Sequence, residues 1–133
     1  MLETEVQTWF IEYLSVFAAC GRGEQPPSAV VPYYDVPLVV STDAGLVSLS
    51  STSEVFTMVA QQVEAMRAAA YDHSEVLDAH TTIVNAVSAF HHSTFSRQRA
   101  DGVEINKLAV TYLISRQPAG QRITALLVHA QVE

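Results

Sequence analysis

The chain has 133 residues, 49% of them hydrophobic and 16% charged, a formal net charge of −7 and an isoelectric point near 5.1. That length suits a single domain, residues 1–133, with one core of its own. Seven Lys and Arg against fourteen Asp and Glu, with no basic cluster, exclude a phosphate-neutralising face and with it nucleic acid as the main partner.

The opening "MLETEVQTWF" is acidic where a secretory signal would be basic, and Glu12 interrupts the apolar stretch behind it. Leu2, Val6, Trp9, Phe10, Tyr13, Leu14 and Phe17 fall at steps of three and four, which predicts a helix with an aromatic stripe. Gly21 and Gly23 end it. Cys20, the only cysteine, excludes an internal disulfide and fits a reducing compartment, so the reading is cytoplasmic. After Pro26-Pro27, Ser28 caps a short helical turn before Pro32. "PLVVST" and "LVSLS" read as short strands around the turn "DAG" at 43–45. Ser51 to Glu54 has the S-x-x-E pattern of a capping box. The helix it opens carries Val55, Phe56, Val59, Val63 and Met66 and ends near Tyr71.

From Ser74 the hydrophobic period changes from 3.6 to 2. "EVLDAHTTIVN", "AVSAFHHSTFSRQ", "EINKLAVTYLISR" and "RITALLVHAQ" read as four antiparallel strands, with Asp101-Gly102 and "PAG" at 118–120 closing hairpins. The longest uncharged run, Ala79 to Ser96, carries His, Thr, Asn and Ser throughout, so no membrane span is expected. Helices followed by an antiparallel run describe an α+β domain.

The order of elements, with "VPYYDVPLVV", "AFHHSTFSRQRADG" and "YLISRQPAGQRITALLVH", resembles the NTF2-like superfamily and its small bacterial SnoaL-like or DUF4440-like members. "SRQRADG" is similar to their Arg-x-x-x-Asp-Gly hairpin. "GQRITALLVHA" resembles their last strand, with Gln121 where Trp is common. The resemblance implies a cystatin-like, cone-shaped curved antiparallel sheet with helices packed on its concave face around a hydrophobic pocket. It also implies a homodimer through the sheet's outer face. The family holds isomerases, cyclases, dehydratases and hydrolases alongside proteins with no known reaction, so the fold does not choose a function.

Neighbouring residues of a strand point to opposite faces, so His91 and His92 cannot together hold one metal; one faces the pocket and the other the outer surface. Either is a histidine hydrogen-bonded in a core or interface, or the inward one is an acid, base or orienting group. His73, His80 and His129 show no ligand spacing, and no metal or bound cofactor is expected. Asp35, in "PYYDVPLVV", is expected at the pocket mouth as a carboxylate acid or base, or else as a solvated turn residue. His91, His92 and His129 are its candidate catalytic partners. Trp9, Tyr13, Tyr34, Phe56, Met66, His80 and Tyr112 are candidate ligand contacts, or simply core. Arg97 and Arg99 are expected to pair with acids at the sheet edge rather than bind substrate anions. The reading is a small-molecule-binding protein, either a cofactor-free acid/base enzyme on a small hydrophobic substrate or a non-catalytic binding or dimerisation module. Gly-rich phosphate loops, G-x-S-x-G and C-x-x-C are absent from the sequence.

Overall fold

In the computed structural model, which describes residues 1–130, the first apolar stripe becomes the buried face of helix α1 (Glu3–Gly21). Val6, Phe10, Tyr13, Phe17 and Cys20 form that face. Glu5 accepts a hydrogen bond from the Leu2 backbone N–H at the helix start, and Gly23 takes the chain out of it at a φ of 80°. Gly21 is still helical. A Cβ there would stand 2.7 Å from both Met66 Cε and Tyr71 Cδ1, so only glycine allows the helix this close.

Two 3₁₀ turns, Pro27–Ala29 and Val31–Tyr33, lead into strand β1 (Tyr34–Thr42), which pairs with β2 (Gly45–Leu49). β1 begins earlier than the expected Pro37 because that proline falls where the ladder to the last strand shifts register, between Tyr34 and Val39. A residue without an N–H is tolerated at such an interruption. Helix α2 (Thr52–Ala68) starts as the capping pattern requires, the Glu54 N–H donating to Ser51 Oγ at 3.1 Å. Val55, Val59, Val63 and Met66 bury its inner stripe.

The four expected antiparallel strands are β3 (Tyr71–Ile83), β4 (Ser88–Arg99), β5 (Glu104–Gln117) and β6 (Gly120–Val128). Gln131, at the end of the expected last strand, lies outside the described residues. The sheet has six strands in the order β2-β1-β6-β5-β4-β3, is curved and unclosed, and is mixed because β1 runs parallel to β6. Both helices pack on its concave face. The core between them holds Leu38, Ile114 and Ile123, all fully buried.

Candidate functional site

Along β4 the alternation of faces turns Ala89, His91, Ser93 and Phe95 inward toward α1. Arg97 has the same parity and follows them. With Tyr13, Leu14 and Phe17 of α1, Tyr34 at the start of β1, Met66 of α2 and Tyr112 of β5, it lines a cavity of about 270 Å³. The wall is otherwise largely apolar. Among its polar groups is a cluster of phenols: the Tyr13 and Tyr34 hydroxyls stand 2.5 Å apart, and the Tyr112 ring meets Tyr13 edge-on at a centroid distance of 6.1 Å. Burial is the largest cause that pushes all three phenols up, so each stays a neutral hydroxyl at physiological pH.

Arg97 pairs in register with Ser74 and Asn106, and its charge bears on Tyr13, Tyr34, Tyr71 and Tyr112. Among the described residues it makes no hydrogen bond or ion pair, and no carboxylate lines its cavity. The expected acid partners at the sheet edge are therefore a correction. Arg99 departs from that expectation too, donating from Nε to the Ala69 carbonyl at 3.1 Å. At the rim the Tyr71 and Ser74 hydroxyls lie 2.8 Å apart, and His73 Nδ1 meets Asp72 Oδ2 at 2.8 Å.

His91 enters a different hollow. It is 4% exposed, its Nδ1 lies 2.8 Å from Thr81 Oγ1, and the Phe10 ring covers it at a centroid distance of 4.0 Å. Its Nε2 has no hydrogen-bond partner among the described residues. Burial, with His92 and His80 adding repulsion, lowers its pKa to about 4, so the ring is neutral at physiological pH.

A model of the NTF2-like protein family DUF6841 matches residues 4–131. The chain belongs to this NTF2-like family. Among solved structures, a domain of unknown function with a cystatin-like fold from Nostoc punctiforme aligns at a TM-score of 0.72 and 14% identity, over 100% of this chain and 81% of that one. A candidate dehydratase of the NTF2-like family from Streptomyces avermitilis aligns at 0.69 and 14%, over 98% and 99%. The yeast UBP3-associated protein BRE5 aligns at 0.70 and 14%, over 96% and 98%. At this identity the likeness is one of fold. No curated protein matches the sequence.

Within this NTF2-like frame the sequence-predicted residues separate into groups. Tyr13, Tyr34, Met66 and Tyr112 meet in the Arg97 cavity. His92 faces outward, its Nδ1 at 3.2 Å from Thr111 Oγ1, and the same hydroxyl lies 2.7 Å from His129 Nε2. His80 is exposed beside His92 on the neighbouring strand. These three histidines are thus outer-face residues and line neither hollow. Asp35 also lies off the cavity, accepting from the Val36 N–H at 2.9 Å and from Gln117 Nε2 at 2.7 Å, because the strand that turns Tyr34 inward turns its neighbour outward. Trp9 stacks on Tyr13 and meets Tyr33 at a tilt of 50° at the surface edge of α1. Phe56 is 41% exposed, one position off the buried stripe of α2. Among the described residues no three His, Cys, Asp or Glu are grouped as metal ligands, and no helix is long and apolar enough to cross a membrane.

Arg97, which the sequence reading assigns to acid pairing over anion binding, and the rim pair Asp72–His73 stand outside the predicted site. The signal for Arg97 was its even spacing from His91 and Phe95, which assigns all of them to one face of the strand.

Proposed function

We propose that this protein binds a small molecule with an apolar body and one anionic group, and that Arg97 holds the anion. The observation that carries this reading is the cavity-lining guanidinium, without a carboxylate or hydrogen-bond partner among the described residues. A guanidinium in an apolar wall is well matched to a carboxylate, phenolate or similar oxyanion, which it can bind through two parallel N–H donors. The phenol cluster supplies neutral donors alongside it, and the volume of about 270 Å³ suits a ligand of one ring. We read the protein as a cytoplasmic, SnoaL-like binding protein rather than an acid/base enzyme, since Asp35 is engaged by Gln117 away from the cavity. The likeness to a candidate dehydratase brings no reaction to this chain.

Calorimetric titration with benzoate and with its uncharged isostere benzamide tests the reading. Benzoate should bind at least about tenfold more tightly than benzamide, as one charge-assisted pair requires. Arg97→Met should remove that preference and Arg97→Lys should keep part of it. Equal affinity for the two probes, or an unchanged preference in Arg97→Met, overturns it.

The proposal includes a homodimer through the outer face of the sheet. It is supported by Phe90, 40% exposed there, with Leu113 opposite it in register and Leu127 nearby. Light scattering at micromolar concentration should report a dimer; a monodisperse monomer contradicts it.

A further inference from the structure

We propose that the groove between α1 and strands β3 and β4 is a second binding site, taking a small uncharged apolar molecule through one hydroxyl group that hydrogen-bonds to His91 Nε2. This goes beyond the anion reading, because it concerns a different hollow and a different ligand chemistry.

The groove measures about 320 Å³ and is walled by Phe10, Ile11 and Leu14 of α1 and by Val76 and Ala79 of β3, with His91 from β4. No charged side chain lines it among the described residues. A charged ligand would have to leave water for an apolar wall without a counter-charge, which is strongly unfavourable. The ligand class is therefore neutral.

His91 supplies the polar contact. Buried ring nitrogens are almost always hydrogen-bonded, and Nε2 of this 4% exposed histidine is not. The other nitrogen is already engaged by the Thr81 hydroxyl at 2.8 Å. A hydroxyl can donate or accept, so the Thr81 contact is compatible with either neutral tautomer of the ring. Nε2 can thus present an N–H or a lone pair. A ligand hydroxyl satisfies both states with one small group, and a phenol or alcohol carries it on an apolar body that the walls accept. Nε2 is itself enclosed, so the group would enter by displacing the Phe10 ring, which lies 4.0 Å from the imidazole centroid and lines the same groove. Burial and the histidines at 80 and 92 keep His91 uncharged at neutral pH, so it does not recruit anions in competition with Arg97.

The test uses p-cresol and toluene, which share a shape and differ by the hydroxyl, with the histidine ring nitrogens followed by ¹⁵N NMR at neutral pH. p-Cresol should move the His91 Nε2 resonance saturably and bind about tenfold more tightly than toluene, the worth of one buried hydrogen bond. Ala79→Leu, a substitution at an exposed wall position, should fill the groove and abolish the shift. His91→Leu should bring p-cresol down to the level of toluene. Arg97→Met should leave p-cresol binding as it was, which separates failure of this site from failure of the anion site. Equal binding of the two probes, an unmoved His91 resonance, or full p-cresol binding in Ala79→Leu overturns the proposal.

Discussion

The two hollows beside α1 share Ile11 and Leu14 as walls, and their central polar groups, Arg97 and His91, come from the same face of the same strand. They nevertheless meet burial in opposite ways. A guanidinium cannot lose its proton at any accessible pH, so Arg97 remains a cation and the hollow around it is matched to anions. An imidazole can lose its proton, so His91, covered by Phe10, stays neutral and its hollow is matched to neutral molecules. The identity of the side chain decides which molecule each apolar wall is suited to.

Acid should separate the two regions most strongly. The folded-state pKa of His91, about 4, lies below the ordinary 6.5, so as pH falls the unfolded chain takes up this proton before the folded one does. Its contribution is therefore whole above pH 6.5 and is lost progressively toward pH 4, about 3 kcal/mol in all. Urea unfolding at pH 7.5 and pH 4.5 should show this loss in the wild type and a smaller one in His91→Gln. The phenols beside Arg97 are pushed upward and contribute nothing in that window. A wild type and variant that lose stability equally would erase the contrast.

Thr81→Val removes the partner of His91 Nδ1 and leaves both ring nitrogens without one, which should cost about 2 kcal/mol by thermal unfolding. In the other hollow Tyr34→Phe removes one bond between two neutral hydroxyls, and the expected cost is about 1 kcal/mol. A larger loss at Tyr34 than at Thr81 would mean that the phenol cluster is the less replaceable of the two networks. Asp35→Asn, outside both hollows, should change stability by no more than about 0.5 kcal/mol and leave benzoate affinity alone. A marked fall in benzoate affinity would return Asp35 to the site.

Much of the fold was legible in the sequence because it rests on local rules. The stripe from Val6 to Phe17, the Ser51–Glu54 cap and the period-2 strands each follow from spacing alone. Positions where the chain breaks its own period were harder to read. Pro37 conceals the first residues of β1, since a proline argues against a strand unless the ladder is known to shift there. Phe56 reads as core by composition yet lies one residue off the stripe of α2. The candidate site was legible in its tyrosines and in Met66. Three phenols from α1, β1 and β5 converge because the two helices cover the sheet, and aromatic residues spaced along amphipathic elements pointed that way. Arg97 was misread because its motif describes a hairpin, and whether an arginine at a sheet edge has a carboxylate partner depends on which strands lie beside it. That is a tertiary fact. The histidine pair was half legible: alternation requires opposite faces, but which residue turns inward depends on where α1 lies.

The anion-binding role of Arg97 is tested most directly by following its guanidinium Nε–H in ¹H–¹⁵N spectra during titration with benzoate. A saturable shift of the Arg97 signal, absent with benzamide and undiminished by excess p-cresol, is the result expected. Shifts confined to exposed arginines such as Arg22, with the Arg97 signal unmoved, would contradict it.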